Sequence, residues 1–457
     1  RATIQISLIV PDSLIGIANG KLAEKLRLEQ RKLSLTWVHE TPIPAYTFGF
    51  AVGTFNYSSK RVGGTFLQYF SQGHTSTELA LIFKESGNML DFFQQKAALN
   101  YPLLQYNQIL GKGEISQEMS GFTVIRNSYG QQVLKDSTQI NLAAHELAHQ
   151  WWGNMVTCQD WGHFWLNEGF ATYVASLVIE NFDGQSAFIS EKGRMIAAIT
   201  AKTNGAVYVT EAELSDVNRI FSSRLSYNKG AMVLNMLRFK MGDAMFFQAI
   251  KNYLKDVNLA YKYAKTPELQ SHLEAVYGSS LAEFFNDWVY NQGYPSYSIT
   301  AQNLGNGQAK FTISQTQSDA SVSFFEMPVP IRVFGTGGQQ LDLVLNNTVN
   351  GESFTENVPF AITSVTFDPE KNIISKSNSI NLNRKKFELT SSQLFLNPAT
   401  QLLSLDIPSD IKIEKVQFFD MAGQKIKTTG AAASWDTSSW AAGVYFINVK
   451  TDFGFQR

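Results

Sequence analysis

"HELAHQWWGNMVTCQDWGHFWLNEGFATY", His145 to Tyr173, sets two histidines four residues apart, an acid directly after the first, and a further acid beyond an aromatic-rich loop. Residues four apart share one face of a helix, so His145 and His149 can offer imidazole nitrogens to a single ion. A catalytic zinc takes three protein ligands and keeps one position open. Nothing else on that helix converges on the same point, so the third ligand must come from another element. Eighteen residues separate His149 from Glu168. That is room for the helix to end at Gly153–Asn154, a loop to turn, and a second helix to bring Glu168 alongside. Glu146 points to a neighbouring part of the helix surface, where it can reach an activated water without ligating the ion. A metal-activated water with a carboxylate base is the chemistry of attack on a carbonyl. The bland alternative is a buried aromatic helix carrying two hydrogen-bonded core histidines.

Working outward, residues 1 to about 58 read as all-β: "ATIQISLIV", "LSLTWVHE" and "YTFGFAVGTF" are separated by Pro, Gly and Asn. "RATIQISLIVPDS" enters a strand without preamble and is no signal peptide, so the chain is expected to start inside a domain. From about 59 to 298 the apolar spacing becomes helical, as in "STELALIFKESGNMLDFFQQKAA", "QINLAAHELAHQWW" and "NKGAMVLNMLRFKMG". Short alternating strands return over 299–384, "SKSNSINLNRKK" reads as a linker, and 385–457 holds more short strands. The expected class is a multidomain α+β chain ordered β, helical, β, β.

Composition narrows the function. Of 457 residues, 13% are aromatic, and the net charge of −1 comes without a basic block, which argues against a nucleic-acid partner. No apolar run approaches the ~18 residues of a transmembrane segment. The single cysteine, Cys158, excludes an internal disulfide framework and reads as an inert packed thiol. His163 lies in the loop between the ligands and reads as structural, because the ion already has its set. Trp151, Trp152, Trp161 and Trp165 read as core and pocket wall.

"HELAHQWWGNMVT" followed by "WLNEGFATY" resembles the gluzincin metallopeptidases of the M1 aminopeptidase family, whose pattern is H-E-x-x-H, eighteen residues, then E. "WGHFWLNEG" is also similar to the leukotriene A4 hydrolase branch. The resemblance implies a thermolysin-like, mainly helical zinc catalytic domain over 59–298. It follows the end of an N-terminal β-domain over 1–58 and precedes a small β-sandwich over 299–384. It implies one zinc per chain on His145, His149 and Glu168, with Glu146 as general base. It implies Tyr227 of "SYNKGAMVL", at the tyrosine of the family's Y-x-K-G, as oxyanion donor. In "ISQEMSGFTVI", at the family's G-x-M-E-N stretch, Glu118 and Gly121 match and are the substrate-binding candidates, Glu118 for a free amine. The Gly, Met and Asn of that motif are lost.

Residues 385–457 resemble the sorting domains of type IX secretion, through "LFLNPATQLLSLDI", "VQFFDMAGQKI" and "WDTSSWAAGVYFINVKT"; the alternative is an ordinary accessory β-sandwich. The family's C-terminal helical domain is expected to be missing, with residues 385–457 in its place. The resemblance therefore implies an aminopeptidase acting on peptides or proteins, engaging a secretion machinery, and secreted or held at the surface of a Gram-negative bacterium. Three alternatives stay open: an endopeptidase, an epoxide hydrolase (disfavoured because "RIFSSRLS" before Tyr227 holds no acid), and a non-catalytic peptide-binding surface protein.

Overall fold

The computed structural model describes residues 1–383, 393–397, 400–407, 412–451 and 454–456. The first five strands are β1 (Ala2–Pro11), β2 (Ile15–Ala18), β3 (Lys21–Leu28), β4 (Lys32–Ile43) and β5 (Phe50–Gly53). They form an antiparallel β1-β4-β3 sheet and a β2-β5 pair. Period-2 alternation turns Leu33, Leu35 and Trp37 of β4 inward beside Leu8 and Val10. The same small core includes Phe70, Ile109, Met119 and Phe122, so this layer packs on the next sheet of the chain. One buried amide ties it down: Asn19 Nδ2 donates to the carbonyls of Thr47 (3.0 Å) and Ser120 (2.7 Å), and its Oδ1 accepts from the Gly49 N–H (2.7 Å).

Where helices were expected from residue 59, a four-stranded mixed sheet comes first. β6 (Asn56–Val62) and β7 (Thr65–Ser71) form a hairpin, and β8 (Gln105–Gly111) and β9 (Phe122–Arg126) continue it in parallel. β6 starts before residue 58, so the strand itself crosses the expected boundary. Its mostly exposed residues explain why no apolar pattern announced it. The crossover from β7 to β8 holds α1 (Ser76–Ile82) and α2 (Ser86–Ala97), which the sequence reads as one helix. Thr75 and Glu78 form a capping box that starts α1.

The helices that carry the site are α3 (Ser128–Lys135), α4 (Asn141–Ala148), α5 (Trp165–Asp183), α6 (Gln185–Ile199), α7 (Val217–Ile220) and α8 (Gly230–Met241). α5 is apolar nearly all round, as a helix must be when it runs through the middle of the core. That core continues into a two-sheet sandwich. One sheet orders strands 352–357, 308–317, 295–305 and 379–382; the other orders 340–347, 327–334 and 364–367. Ser379–Leu382, within the stretch read as a linker, instead pairs in parallel with Pro295–Gly305. Trp288 and Phe325, with ring centroids 4.5 Å apart, join helices to sandwich. The C-terminal strands form two further sheets around a separate core of Leu405, Val416, Phe418, Trp435 and Val449. The expected start of that segment, 385–392, lies outside the described residues.

Candidate metal centre

α4 delivers His145 from its last turn and His149 from its C-cap, both in right-handed helical conformation, so the four-residue spacing still aims both rings the same way. α5 begins at Trp165 and offers Glu168 from its first turn. The two Nε2 atoms are 3.1 Å apart, and Glu168 Oε2 lies 3.2 Å from His145 Nε2 and 3.4 Å from His149 Nε2. Three Lewis-basic atoms facing one another repel unless a cation stands between them. A tetrahedral ion with ligand bonds of about 2.0 Å separates its ligands by about 3.3 Å, which the observed triangle matches. His149 Nδ1 lies 3.0 Å from the Trp152 carbonyl and donates to it, leaving the Nε2 lone pair for a metal. Residues and spacing therefore fit zinc. This is the one cluster of three such groups among the described residues.

The field around the triangle is negative. Burial disfavours charge on both imidazoles. For His145 burial dominates and its pKa falls; for His149 the carboxylates of Glu168 and Glu118 outweigh burial and raise it to about 10. Burial favours the neutral form of Glu168, but the two histidines outweigh it and bring the carboxyl down to about 2. Glu146, buried beside them, is pushed up by burial and by Glu118.

These groups line a cavity of about 1280 Å³, together with Glu118 and Tyr227. Tyr227 sits on a π-helical turn, Ser223–Lys229, whose wider loop sets it over His145 with ring planes 13° apart and centroids at 6.0 Å. Burial and then Glu168 hold its phenol protonated. Glu118 is buried; its carboxylate accepts from Gln117 Nε2 (2.6 Å) and its carbonyl from Asn154 Nδ2 (2.6 Å). Gly121 does not line the cavity. Its N–H donates to Gln150 Oε1 (2.9 Å), its φ is +69°, and a Cβ would lie 2.7 Å from Leu103 Cδ1, so it is a turn glycine packed behind the wall. His163 is structural as expected, its Nδ1 lying 2.9 Å from Thr266 Oγ1. Trp151, Trp152 and Trp165 are core, whereas Trp161 is half exposed at the cavity rim. Cys158 also faces the cavity, and burial raises its thiol pKa far above the usual range.

Sequence reasoning missed two features. Tyr46 lines the cavity from the loop after β4, and its hydroxyl accepts from Asn167 Nδ2 (3.1 Å), whose Oδ1 accepts the Cys158 N–H (2.9 Å). Gly169 and Gly230 touch: a Cβ on Gly169 would lie 3.0 Å from the Gly230 carbonyl carbon, so the α5 and α8 backbones meet directly beside Glu168 and Tyr227. Both glycines stand next to motif residues, which was the available signal.

Residues 82–288 match the peptidase family M1 domain. The chain carries an M1 peptidase domain. That M1 domain is followed at 393–456 by a match to the secretion system C-terminal sorting domain, which the chain also carries. Aminopeptidase M1 of Arabidopsis thaliana is 28% identical over 72% of this chain and 38% of its own length. Tricorn protease-interacting factor F2 of Thermoplasma volcanium is 25% identical over 74% of this chain and 44% of its length. Glutamyl aminopeptidase of Rattus norvegicus is 26% identical over 78% of this chain and 39% of its length. The chain thus spans under half the length of these relatives. In each, the aligned part is longer than the match to the M1 domain in this chain.

Proposed function

We propose that this protein is an exported zinc metallopeptidase that removes N-terminal residues from peptides. The observation that carries the reading is the buried triangle of His145, His149 and Glu168, with edges of 3.1–3.4 Å and Glu146 beside it, at the floor of a peptide-sized cavity. His145, His149 and Glu168 would hold zinc, which when bound supplies a Lewis acid that acidifies water and polarises a carbonyl. Glu146 accepts the proton of the attacking water and returns it to the departing amine. The Tyr227 hydroxyl donates to the oxygen on which negative charge develops. Glu118 pairs with the free α-amine, setting the cut one residue from the chain end. The aminopeptidase names of the relatives support this direction of cleavage. The sorting domain supports delivery by type IX secretion from a Gram-negative cell, with the secretion machinery as partner.

The test pairs metal analysis with turnover of aminoacyl anilides. Glu146→Gln is expected to retain one zinc per chain and to lose about 10²–10⁴ in kcat, and chelation of the intact protein to abolish turnover reversibly. Undiminished turnover in the variant, or activity indifferent to chelator, sinks the reading.

A further inference from the structure

Two donors in the lining of the cavity have nothing to donate to. Arg126 closes β9 and lines the cavity; its Nε is buried without a hydrogen-bond partner, and no ion pair involves it among the described residues. Tyr129, on the first turn of α3, lines the same cavity, is 1% exposed, and its hydroxyl is likewise unpartnered. The contrast with Arg194 is direct, since that second cation of the cavity is held by Glu191 at 2.6 Å. Buried donors are normally satisfied, and leaving one unmet is costly. An arginine and a phenol three residues apart in the lining of one cavity, with no acceptor of their own, are complementary to a carboxylate.

Their place relative to Glu118 gives the register. Gln117 and Val124 pair antiparallel, Gln117 N–H to the Val124 carbonyl at 2.8 Å and Val124 N–H to the Gln117 carbonyl at 3.0 Å. The Arg126 N–H donates to Ser116 Oγ at 3.2 Å. Continuing that register sets Arg126 opposite Ile115, three residues and about 10 Å along the strand from Glu118. An extended peptide covers the same distance in three residues. Asn154, past the C-terminus of α4, holds Glu118, and α4 carries His145 and Glu146 along the same cavity.

We propose that Arg126 and Tyr129 form a carboxylate subsite on the departing side of the cleaved bond, so that peptides presenting a carboxylate at about the third residue, tripeptides above all, are preferred. This rests on the peptidase reading and on Glu118 as the amine anchor. The carboxylate is either the peptide's own C-terminus or an acidic side chain at that position.

Three probes separate these: Ala-Ala-Ala as free acid, Ala-Ala-Ala amide, and Ala-Ala-Glu amide. The free acid is expected to exceed the plain amide by roughly 10–100-fold in kcat/KM, the size of one charge-assisted hydrogen bond. Arg126→Gln is expected to bring that ratio to about one, and Tyr129→Phe to lower it, each with native zinc content and an unshifted Tm as the check on folding. An Ala-Ala-Glu amide that matches the free acid assigns the subsite to side chains as well; one that matches the plain amide assigns it to the C-terminus. Equal rates for acid and amide in the intact protein, or a preference that survives Arg126→Gln, overturn the subsite. Calorimetric binding of the acid and the amide to Glu146→Gln protein separates the two readings. Tighter binding of the acid without any turnover by the intact protein overturns the peptidase and supports the subsite; equal binding overturns the subsite whatever the turnover.

Discussion

Tyr227 is placed by a π-helical turn rather than by regular helix, and its ring lies parallel to that of His145. If its hydroxyl serves the developing oxyanion, Tyr227→Phe removes one donor and keeps the packing against Phe164, Val209 and Ile220. The expected outcome is a loss of about 10²–10³ in kcat with KM and Tm little changed, read from steady-state kinetics and a thermal melt. Two residues on, Lys229 is buried with its ammonium donating to the Gly205 carbonyl at 2.9 Å. Burial, then Arg224 and Arg219, lower its pKa from 10.5 to about 7. Between pH 7 and 10.5 the unfolded chain therefore binds more protons at this residue than the folded one, so stability rises with pH across that window. Below pH 7 both states are protonated, and the cost of burying the charge is fully present. Lys229→Met is expected to remove this slope, so that the stability difference between variant and parent shrinks from pH 7 to 10, measured by urea unfolding at each pH.

Among the elements, α5 and α8 are held at backbone contact by Gly169 and Gly230. An alanine at either position must push the helices apart. Gly169→Ala is expected to cost about 1–3 kcal/mol in stability and, by shifting Glu168 against Tyr227, to lower kcat more than it lowers zinc content. A variant with native kcat would show that the contact serves packing alone. The spacing of His145, His149 and Glu168 was legible because helix geometry converts a four-residue interval into a shared direction. Glu146 was legible for the same reason. Tyr227 and Glu118 stood out by their neighbours, and both line the cavity; Gly121 stood out equally and turned away, because its N–H is claimed by Gln150. Tyr46, Arg126 and Tyr129 carried no local signal, since each reaches the cavity from a segment outside the metal motif. The strand β6 was lost in the helical reading because an edge strand with exposed residues has little apolar alternation to detect, whereas β7 beside it is largely buried.

At the scale of the whole molecule there are two kinds of joint. The core of the M1 domain runs without a break from its sheet through the helices into the 295–382 sandwich, with Lys192 Nζ donating to Asn372 Oδ1 (2.9 Å) and Asn235 Nδ2 to the Asn372 carbonyl (3.2 Å) across the seam. The sorting domain has its own core, with Phe418 centred 5.1 Å from Trp435 and 4.9 Å from Trp440. Separate cores unfold separately. Calorimetry is therefore expected to show two transitions, the smaller one absent after deletion of residues 385–457. That deletion is expected to leave reporter turnover intact and to abolish export in the native host; surface delivery of the truncated protein would remove the sorting role. Asn19 sets a different limit on what can be cut away. Its amide reaches the Ser120 carbonyl, two residues past Glu118, from a part of the chain that precedes the 82–288 match by more than sixty residues. A fragment trimmed to that match would keep His145, Glu146, His149 and Glu168, yet lose the hydrogen bond that steadies the wall bearing Glu118, along with β6, β7 and the sandwich that shares its core. If Glu118 reads the free amine as proposed, that reading depends on residues that lie outside the stretch by which the family is recognised.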